Sequence, residues 1–346
     1  MSKASDIKRM LHFTSLADRP VMIWGPPGGG KSSVARQFLT DWTKKVYVIK
    51  IKKGEPKTIY KMTTTALEPI DLRGLMSVRD GKTFWNPPNF LPHEENCGLL
   101  IDDLTNGHPQ VLTALYSLIL DGYLGDYVLP KGTVIIATGN DETHKSYATR
   151  MPAALAARFV HMELDFDIEN WIDNAIDCQF DLRVIAFGRA FPKLINAFDP
   201  AQGKAQPLAR TWEFVSDIMK QKPDADLVLP LVQGTVGKGA ALEFQGFLEI
   251  YNSDELPDVF AVLKNPLALK TMPSKPSTMY AFIGAMAKWV KENSMDSFIA
   301  VAERMLAEKL SEYAITMVND ATRYNSELKS TSAYVGWITK HQALYV

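Results

Sequence analysis

The most constraining feature of this 346-residue sequence is the segment Gly25-Pro-Pro-Gly-Gly-Gly-Lys31-Ser32, which follows the apolar run Val21–Trp24. Glycines at this density let backbone N–H groups approach an anion closely, and a helix that begins behind them adds its dipole. The spacing fits G-x-x-x-x-G-K-[ST], in which the lysine reaches the β- and γ-phosphates and the hydroxyl ligates Mg²⁺. The sequence therefore predicts a strand, a loop that binds a nucleoside triphosphate, and a helix. The residues assigned to this loop are Gly25, Pro26, Pro27, Gly28, Gly29, Gly30, Lys31, Ser32 and Ser33.

Two carboxylates end the apolar run 98–103, and an amide ends a similar run over 133–141. Runs this apolar are typical of central strands of a parallel sheet, whose carboxyl ends face the ligand. We expect Asp102 to orient Mg²⁺ through its water shell and Asp103 to polarise the attacking water. We expect Asn140 to hold that water beside the γ-phosphate.

Five apolar runs predict the strands of one sheet: 21–24, 46–51, 98–103, 133–141 and 159–164. Helical patterns alternate with these strands through residue 164. Such alternation favours an α/β fold with a parallel five-stranded sheet between helical layers.

Charge and cysteine content narrow the possible environment and partners. Lys and Arg total 38 against 39 Asp and Glu, so the net charge of −1 provides no overall field for nucleic acid. Cys97 and Cys178 form neither metal-type nor disulfide-type spacing, which favours a reducing, cytoplasmic environment. The N-terminal segment lacks the apolar core of a signal peptide, and no stretch approaches the roughly 20 apolar residues that span a bilayer.

Four segments, taken together and in order, resemble the MoxR branch of the AAA+ ATPases, which is related to the dynein-like and McrB-like modules. They are GPPGGGKSS, LLIDDLTNGHPQVLTALYSLILDGYLGDYVLP, VIIATGND and MPAALAARFVHMEL. The resemblance extends from about residue 10 to about residue 250. It implies adenine as the base, Mg²⁺ as the metal ion and assembly into a ring, typically a hexamer.

The resemblance also assigns polar residues outside the loop. Asn140 takes the sensor-1 position, and Arg158 takes that of the arginine finger, which reaches the γ-phosphate of the neighbouring subunit. Arg150 is a second candidate for the same interface. One departure concerns Asp103, which stands where the family usually has glutamate and is one methylene shorter. The resemblance therefore implies nucleotide binding and leaves the rate of hydrolysis open.

A lid domain is the last element that the resemblance implies. The segment 206–219 resembles the start of the lid helix that carries sensor 2, which makes Arg210 a contact of the γ-phosphate in cis. Ala209 stands where the family more often has proline, so the alignment of this segment with the family could shift by one residue. The predicted organisation is a nucleotide-binding core over 1–164, a helical lid over 165–260 and a C-terminal helical extension over 261–346.

Two turn-rich segments, 75–90 and 121–132, predict hairpins inserted in the core. Asp80-Gly81 between Met-Ser-Val and Thr-Phe-Trp is a strong hairpin signal. In the family that the sequence resembles, a hairpin near here faces the channel of the ring. The alternative is a hairpin that only covers apolar surface with Phe84 and Trp85, and the residues leave both readings open.

The function predicted is a ring-forming Mg²⁺-ATP hydrolase that remodels a partner protein in a chaperone-like role. Proteins resembling this one commonly act with a protein that carries a von Willebrand factor A domain. One alternative is a slow-turnover scaffold whose ATP state holds a partner, because Asp103 is short. Another is a nucleic-acid-directed motor of the McrB-like kind, against which the near-neutral charge counts without excluding it. No membrane association is predicted.

Overall fold

The computed structural model describes residues 2–50, 59–140, 151–199, 201, 204–251 and 256–345, without the side chains of 44–50. The chain divides into two compact units, Met1–Asp167 and Ile168–Val346. The strands are β1 Val21–Trp24, β2 Ile59–Thr63, β3 Leu75–Arg79, β4 Lys82–Asn86, β5 Gly98–Asp102, β6 Tyr123–Leu124, β7 Tyr127–Val128, β8 Val134–Gly139 and β9 Val160–Glu163. The helices are α1 Ala4–Leu16, α2 Lys31–Lys50, α3 Pro69–Arg73, α4 Pro109–Asp121, α5 Ala153–Ala156, α6 Ile168–Asp177, α7 Leu182–Ala190, α8 Ala209–Lys220, α9 Ala225–Val236, α10 Lys238–Tyr251, α11 Val259–Lys264, α12 Pro276–Trp289, α13 Met295–Ala307, α14 Ser311–Tyr324 and α15 Ser332–Lys340.

The first unit is built on a five-stranded sheet in the order β2-β5-β8-β1-β9, with every neighbouring pair parallel. Side chains alternate along each strand, so Val21 and Ile23 pack with α1 and α2 while Met22 packs with α4 on the opposite face. Parallel neighbours need crossover connections, and helices provide them here. The predicted α/β fold with a parallel five-stranded sheet is confirmed.

Four of the five predicted strands are present as β1, β5, β8 and β9, but the strand predicted over 46–51 is wrong. Residues 46–50 continue helix α2, and residue 51 lies outside the described residues. The edge strand is instead β2, in which Met62 is buried and Lys61 is exposed. The periodicity of a short apolar run does not distinguish a strand from a segment of a helix. The strand was therefore predicted from the apolar composition alone, and that prediction is wrong.

The strand order brings three distant segments to one edge of the sheet. Strand β8 lies between β5 and β1, and all three run in the same direction. The glycine loop follows β1, Asp102 is the last residue of β5, and Asn140 follows β8 directly. These segments therefore meet at the carboxyl edge, where α/β proteins bind ligands.

Both predicted hairpins are present. Strands β3 and β4 pair antiparallel around Asp80 and Gly81, whose φ angles of 50° and 72° place both in the left-handed region that a tight hairpin turn needs. Strands β6 and β7 form the shorter hairpin.

The second unit is helical, from α6 to α15. A buried ion pair joins two of its helices: Arg189 on α7 and Asp320 on α14 have side chains only 9% and 5% exposed. The finer division into a lid over 165–260 and an extension over 261–346 stays a prediction. Among the described helices, none has both the length and the apolar character to cross a membrane.

Candidate nucleotide-binding site

The glycine loop is shaped by close approaches of the backbone. A Cβ atom on Gly25 would lie 2.7 Å from the carbonyl oxygen of Leu164, and Gly30 has a φ of 88°. Lys31, the first residue of α2, is buried, and its Nζ donates hydrogen bonds of 2.8 Å to the carbonyl oxygens of Gly25 and Pro26. The loop thus curls around the lysine that the sequence analysis predicts to bind phosphate. The remaining loop residues, Pro27, Gly28, Gly29 and Ser32, are half-buried, and Ser33 is exposed.

Lys31 also links the loop to the end of β8. Its Nζ donates a 2.8 Å hydrogen bond to Oδ1 of Asn140, whose own backbone N–H donates to Oγ1 of Thr105 at 3.1 Å. Asn140 is buried. The predicted phosphate-binding lysine and the predicted sensor amide are therefore in direct contact.

Asp102 is the junction between the loop and β5. Its Oδ1 accepts hydrogen bonds of 2.6 Å from both Ser32 Oγ and Thr138 Oγ1, and its Oδ2 lies 2.7 Å from Nζ of Lys61. Burial acts to raise the pKa of Asp102, but hydrogen bonds from Lys61, Ser32 and Thr138 outweigh it, so the pKa is below its ordinary value. The carboxylate is therefore ionised at neutral pH.

The donor set at this junction suits Mg²⁺. Ser32 and Asp102 offer a hydroxyl and a carboxylate in contact, which are hard oxygen donors. Mg²⁺ keeps several waters and is commonly held by one or two protein groups together with substrate phosphates. Within the described ranges no three His, Cys, Asp or Glu side chains gather into a metal cage. Ser32 and Asp102 are the residues that would hold the ion.

Asp103 adopts an unusual backbone conformation, with φ 54° and ψ 41°. Two threonines secure it: its N–H donates to Thr138 Oγ1 at 3.2 Å, and its carbonyl oxygen accepts from Thr64 Oγ1 at 2.7 Å. A left-handed non-glycine residue is uncommon, although a short polar side chain tolerates it. The residue is half-buried and directly follows β5.

Sequence reasoning missed Lys61 and the threonines at positions 64, 105 and 138. Thr138 is a hydroxyl residue within the apolar run Val-Ile-Ile-Ala-Thr-Gly, and Lys61 is a charge within a strand that otherwise pairs with the buried β5. A polar residue inside such a run is the signal that could have identified both.

Arg158 lies near the amino ends of the strands, whereas the glycine loop lies at their carboxyl ends. It precedes β9 by two residues, and β9 pairs with β1 so that Val160 is opposite Val21. At about 3.3 Å per residue, the six positions between Arg158 and Gly25 correspond to about 20 Å along the strands, well beyond the reach of an arginine side chain. The guanidinium donates to the carbonyl oxygen of Ala154 and lies 5.3 Å from the centroid of the Tyr116 ring.

The remaining predicted arginines are Arg150 and Arg210. Arg210 is an exposed residue in the first turn of α8, in the second unit. Arg150 lies outside the described residues. The roles assigned to both stay predictions.

Comparison with known proteins finds one domain family whose model matches part of the chain. Residues 20–159 match the model of the AAA domain, dynein-related subfamily, a segment that begins just before β1 and ends just before β9. No curated protein sequence matches the chain.

Comparison with solved structures finds similarity to NtrX from Brucella abortus and to the RuvB Holliday junction branch migration motor from Thermotoga maritima. NtrX is 13% identical over 99% of this chain and 68% of its own, with a TM-score of 0.35. RuvB is 16% identical over 90% of this chain and 86% of its own, with a TM-score of 0.38. Both TM-scores are below 0.5, so the fold described above rests on the strand order of the sheet and not on these two structures.

Proposed function

We propose that this protein hydrolyses ATP with the aid of Mg²⁺. The observation that carries the proposal is the meeting of the glycine loop with the ends of β5 and β8. Lys31 contacts Asn140, and Ser32 contacts Asp102, so lysine, hydroxyl, carboxylate and amide face one small region. The match of residues 20–159 to an AAA domain supports the same reaction class.

Each residue of the site has its own role in the proposed hydrolysis. Lys31 exchanges its hydrogen bonds to the loop carbonyls for phosphate oxygens, and the N–H groups at 28–30 approach the same phosphates. Ser32 and Asp102 would hold Mg²⁺, which would supply positive charge at the phosphates. Asp103 accepts a hydrogen bond from the attacking water and takes its proton, and Asn140 orients that water. The left-handed backbone of Asp103, held by two threonine hydroxyls, supports this role, because strained conformations cluster at functional sites.

Replacing Asp103 by asparagine tests this division directly. Asp103→Asn is expected to bind ATP with near wild-type affinity, because the phosphate contacts remain, and to hydrolyse it about 10²- to 10⁴-fold more slowly, the usual contribution of a general base. Phosphate release and equilibrium nucleotide binding measure the two effects separately.

Asp103→Glu is the matched control, since it restores the residue usual in the family that the sequence resembles. Wild-type turnover by Asp103→Asn would exclude Asp103 as the base. Inert wild-type and Asp103→Asn proteins beside an active Asp103→Glu variant would favour the slow-turnover scaffold.

We further propose that the active form is a ring, typically a hexamer, in which Arg158 completes the site of the neighbouring subunit. Its distance from the glycine loop of its own chain supports action in trans. A cleft beside it is lined by charged residues of both signs, Arg19 and Lys131 together with Asp18 and Asp121. Head-to-tail interfaces that close on themselves generate rings.

The β3–β4 hairpin is our candidate for engaging a partner protein. Met76 and Trp85 are opposite each other in the register and are 56% and 37% exposed, and Phe84 on the other face is 44% exposed. Leu75 and Val78 are 76% and 68% exposed. Apolar groups exposed on both faces of one hairpin fit an interaction element better than a cover for the core. Aromatic anchors of this kind dominate many interfaces.

We expect the Asp103→Asn protein with ATP to retain a partner with a von Willebrand factor A domain from lysate of the source cells. The variant Phe84→Ala/Trp85→Ala is expected to lose that partner, because it removes both aromatic anchors. Phe260→Ala/Trp289→Ala is a matched control, since these exposed rings contact each other in the second unit and belong to no hairpin strand. Mass spectrometry identifies the retained protein. Salt-sensitive recovery of DNA or RNA would instead favour the nucleic-acid motor.

A further inference from the structure

Lys61 is a charged residue in the site with no role in the mechanism above. It lies on β2 opposite Leu100, and Thr63 is opposite Asp102, so the Lys61 side chain runs along the sheet toward the carboxyl edge. Its Nζ lies 2.7 Å from Oδ2 of Asp102. The Lys61 side chain is 41% exposed and that of Asp102 is 10% exposed.

The two carboxylate oxygens of Asp102 have different partners. Oδ1 accepts hydrogen bonds from the hydroxyls of Ser32 and Thr138, and these neutral donors are compatible with a cation beside Ser32. Oδ2 faces an ammonium group. The negative charge that would attract a metal ion is therefore already compensated by Lys61.

We propose that Lys61 is a resident counter-ion of Asp102 which the magnesium–nucleotide complex must displace. This inference rests on the proposed function and adds a regulatory property to the same site. Two positive charges on one carboxylate repel each other, so Lys61 raises the Mg²⁺ concentration at which the site fills. The length of the lysine side chain and its exposure let the ammonium group move into solvent when the metal ion arrives.

A purely structural role explains the pair less well. An ion pair with one partner this exposed contributes little to stability. Asp102 also keeps two hydroxyl donors without Lys61, so its orientation does not depend on the ammonium group.

The test is the Mg²⁺ dependence of nucleotide binding in the full chain, measured by fluorescence anisotropy of a fluorescent ATP analogue at constant ionic strength. Lys61→Met removes the charge and keeps most of the length, Lys61→Arg keeps the charge, and Lys82→Met removes an exposed lysine from the β3–β4 hairpin. The Mg²⁺ midpoint is expected to fall about 3- to 10-fold in Lys61→Met, as removal of one partly screened charge near a divalent ion predicts. It is expected to stay close to wild type in the other two variants.

The outcomes separate this inference from the proposed function. An unchanged or raised midpoint in Lys61→Met, with a folded protein by circular dichroism, would overturn the counter-ion role. A loss of nucleotide affinity in EDTA for Lys61→Met would place Lys61 on the phosphates and overturn it as well. Failure of the wild-type protein to bind nucleotide at any Mg²⁺ concentration would overturn the proposed function and this inference together.

Discussion

Replacing Lys31 by alanine is expected to lower the affinity for ATP about 100-fold, because hydrogen bonds to charged groups contribute roughly 1.5–3 kcal/mol each and, in the proposed site, the ammonium group would reach two phosphates. The same change removes the contact with Asn140 and leaves the carbonyl oxygens of Gly25 and Pro26 without this donor. Isothermal titration calorimetry measures the affinity. A thermal melt shows whether loss of the hydrogen bonds from Lys31 to the loop carbonyls lowers the stability of the protein.

Lys82→Ala is the matched control, since Lys82 is exposed on the β3–β4 hairpin. It is expected to bind ATP as the wild-type protein does. If Lys31→Ala bound ATP with unchanged affinity, the glycine loop would not be the nucleotide site.

The Lys31 variant also tests assembly when it is mixed with Arg158→Ala. On its own, Arg158→Ala is expected to bind ATP and to hydrolyse it about 10³- to 10⁵-fold more slowly, as for other arginine fingers. Random mixing in equal amounts pairs an intact loop with an intact finger at about one interface in four, so part of the turnover returns. A protein that stays monomeric by native mass spectrometry in the presence of ATP would contradict the ring.

The second large effect is expected in the helical unit, at the ion pair between Arg189 and Asp320. Two hydrogen bonds connect them: Nη2 of Arg189 donates to Oδ1 of Asp320 at 2.9 Å, and Nη1 donates to Oδ2. Removing one partner leaves a buried charge without compensation, so Arg189→Met is expected to destabilise this unit by about 3–5 kcal/mol. Urea unfolding followed by circular dichroism measures the loss.

The double variant Arg189→Met/Asp320→Leu separates the cost of the unpaired charge from the value of the pair. It is expected to recover much of the stability lost in Arg189→Met, because an apolar pair of similar volume often replaces a buried ion pair without loss. A double variant as unstable as Arg189→Met would mean that packing around α7 and α14, and not the uncompensated charge, causes the loss.

Much of the site is determined by residues that are close together in the sequence. The glycine loop and the lysine at position 31 form one local motif, because anion binding by a loop needs glycines and a helix start in immediate succession. Asp102 and Asn140 could be assigned from single apolar runs, since the carboxylate and amide residues of a buried central strand are expected at its end. These local rules also predicted the five-stranded parallel sheet and the two hairpins.

Other features depend on which segments become neighbours. Lys61 is 41 residues from Asp102, and Thr138 is 36 residues away, and no local pattern relates them; they meet because β2 and β8 flank β5. The edge strand itself was misplaced, because residues 46–50 are apolar enough for either a strand or a helix and the sequence contains no signal that separates the two. The pairing of Arg189 with Asp320 spans 131 residues. The sequence by itself therefore determined which groups are candidates for the proposed chemistry. The tertiary structure decided which charged groups are paired, because pairing depends on distances in space that strand order and helix packing set.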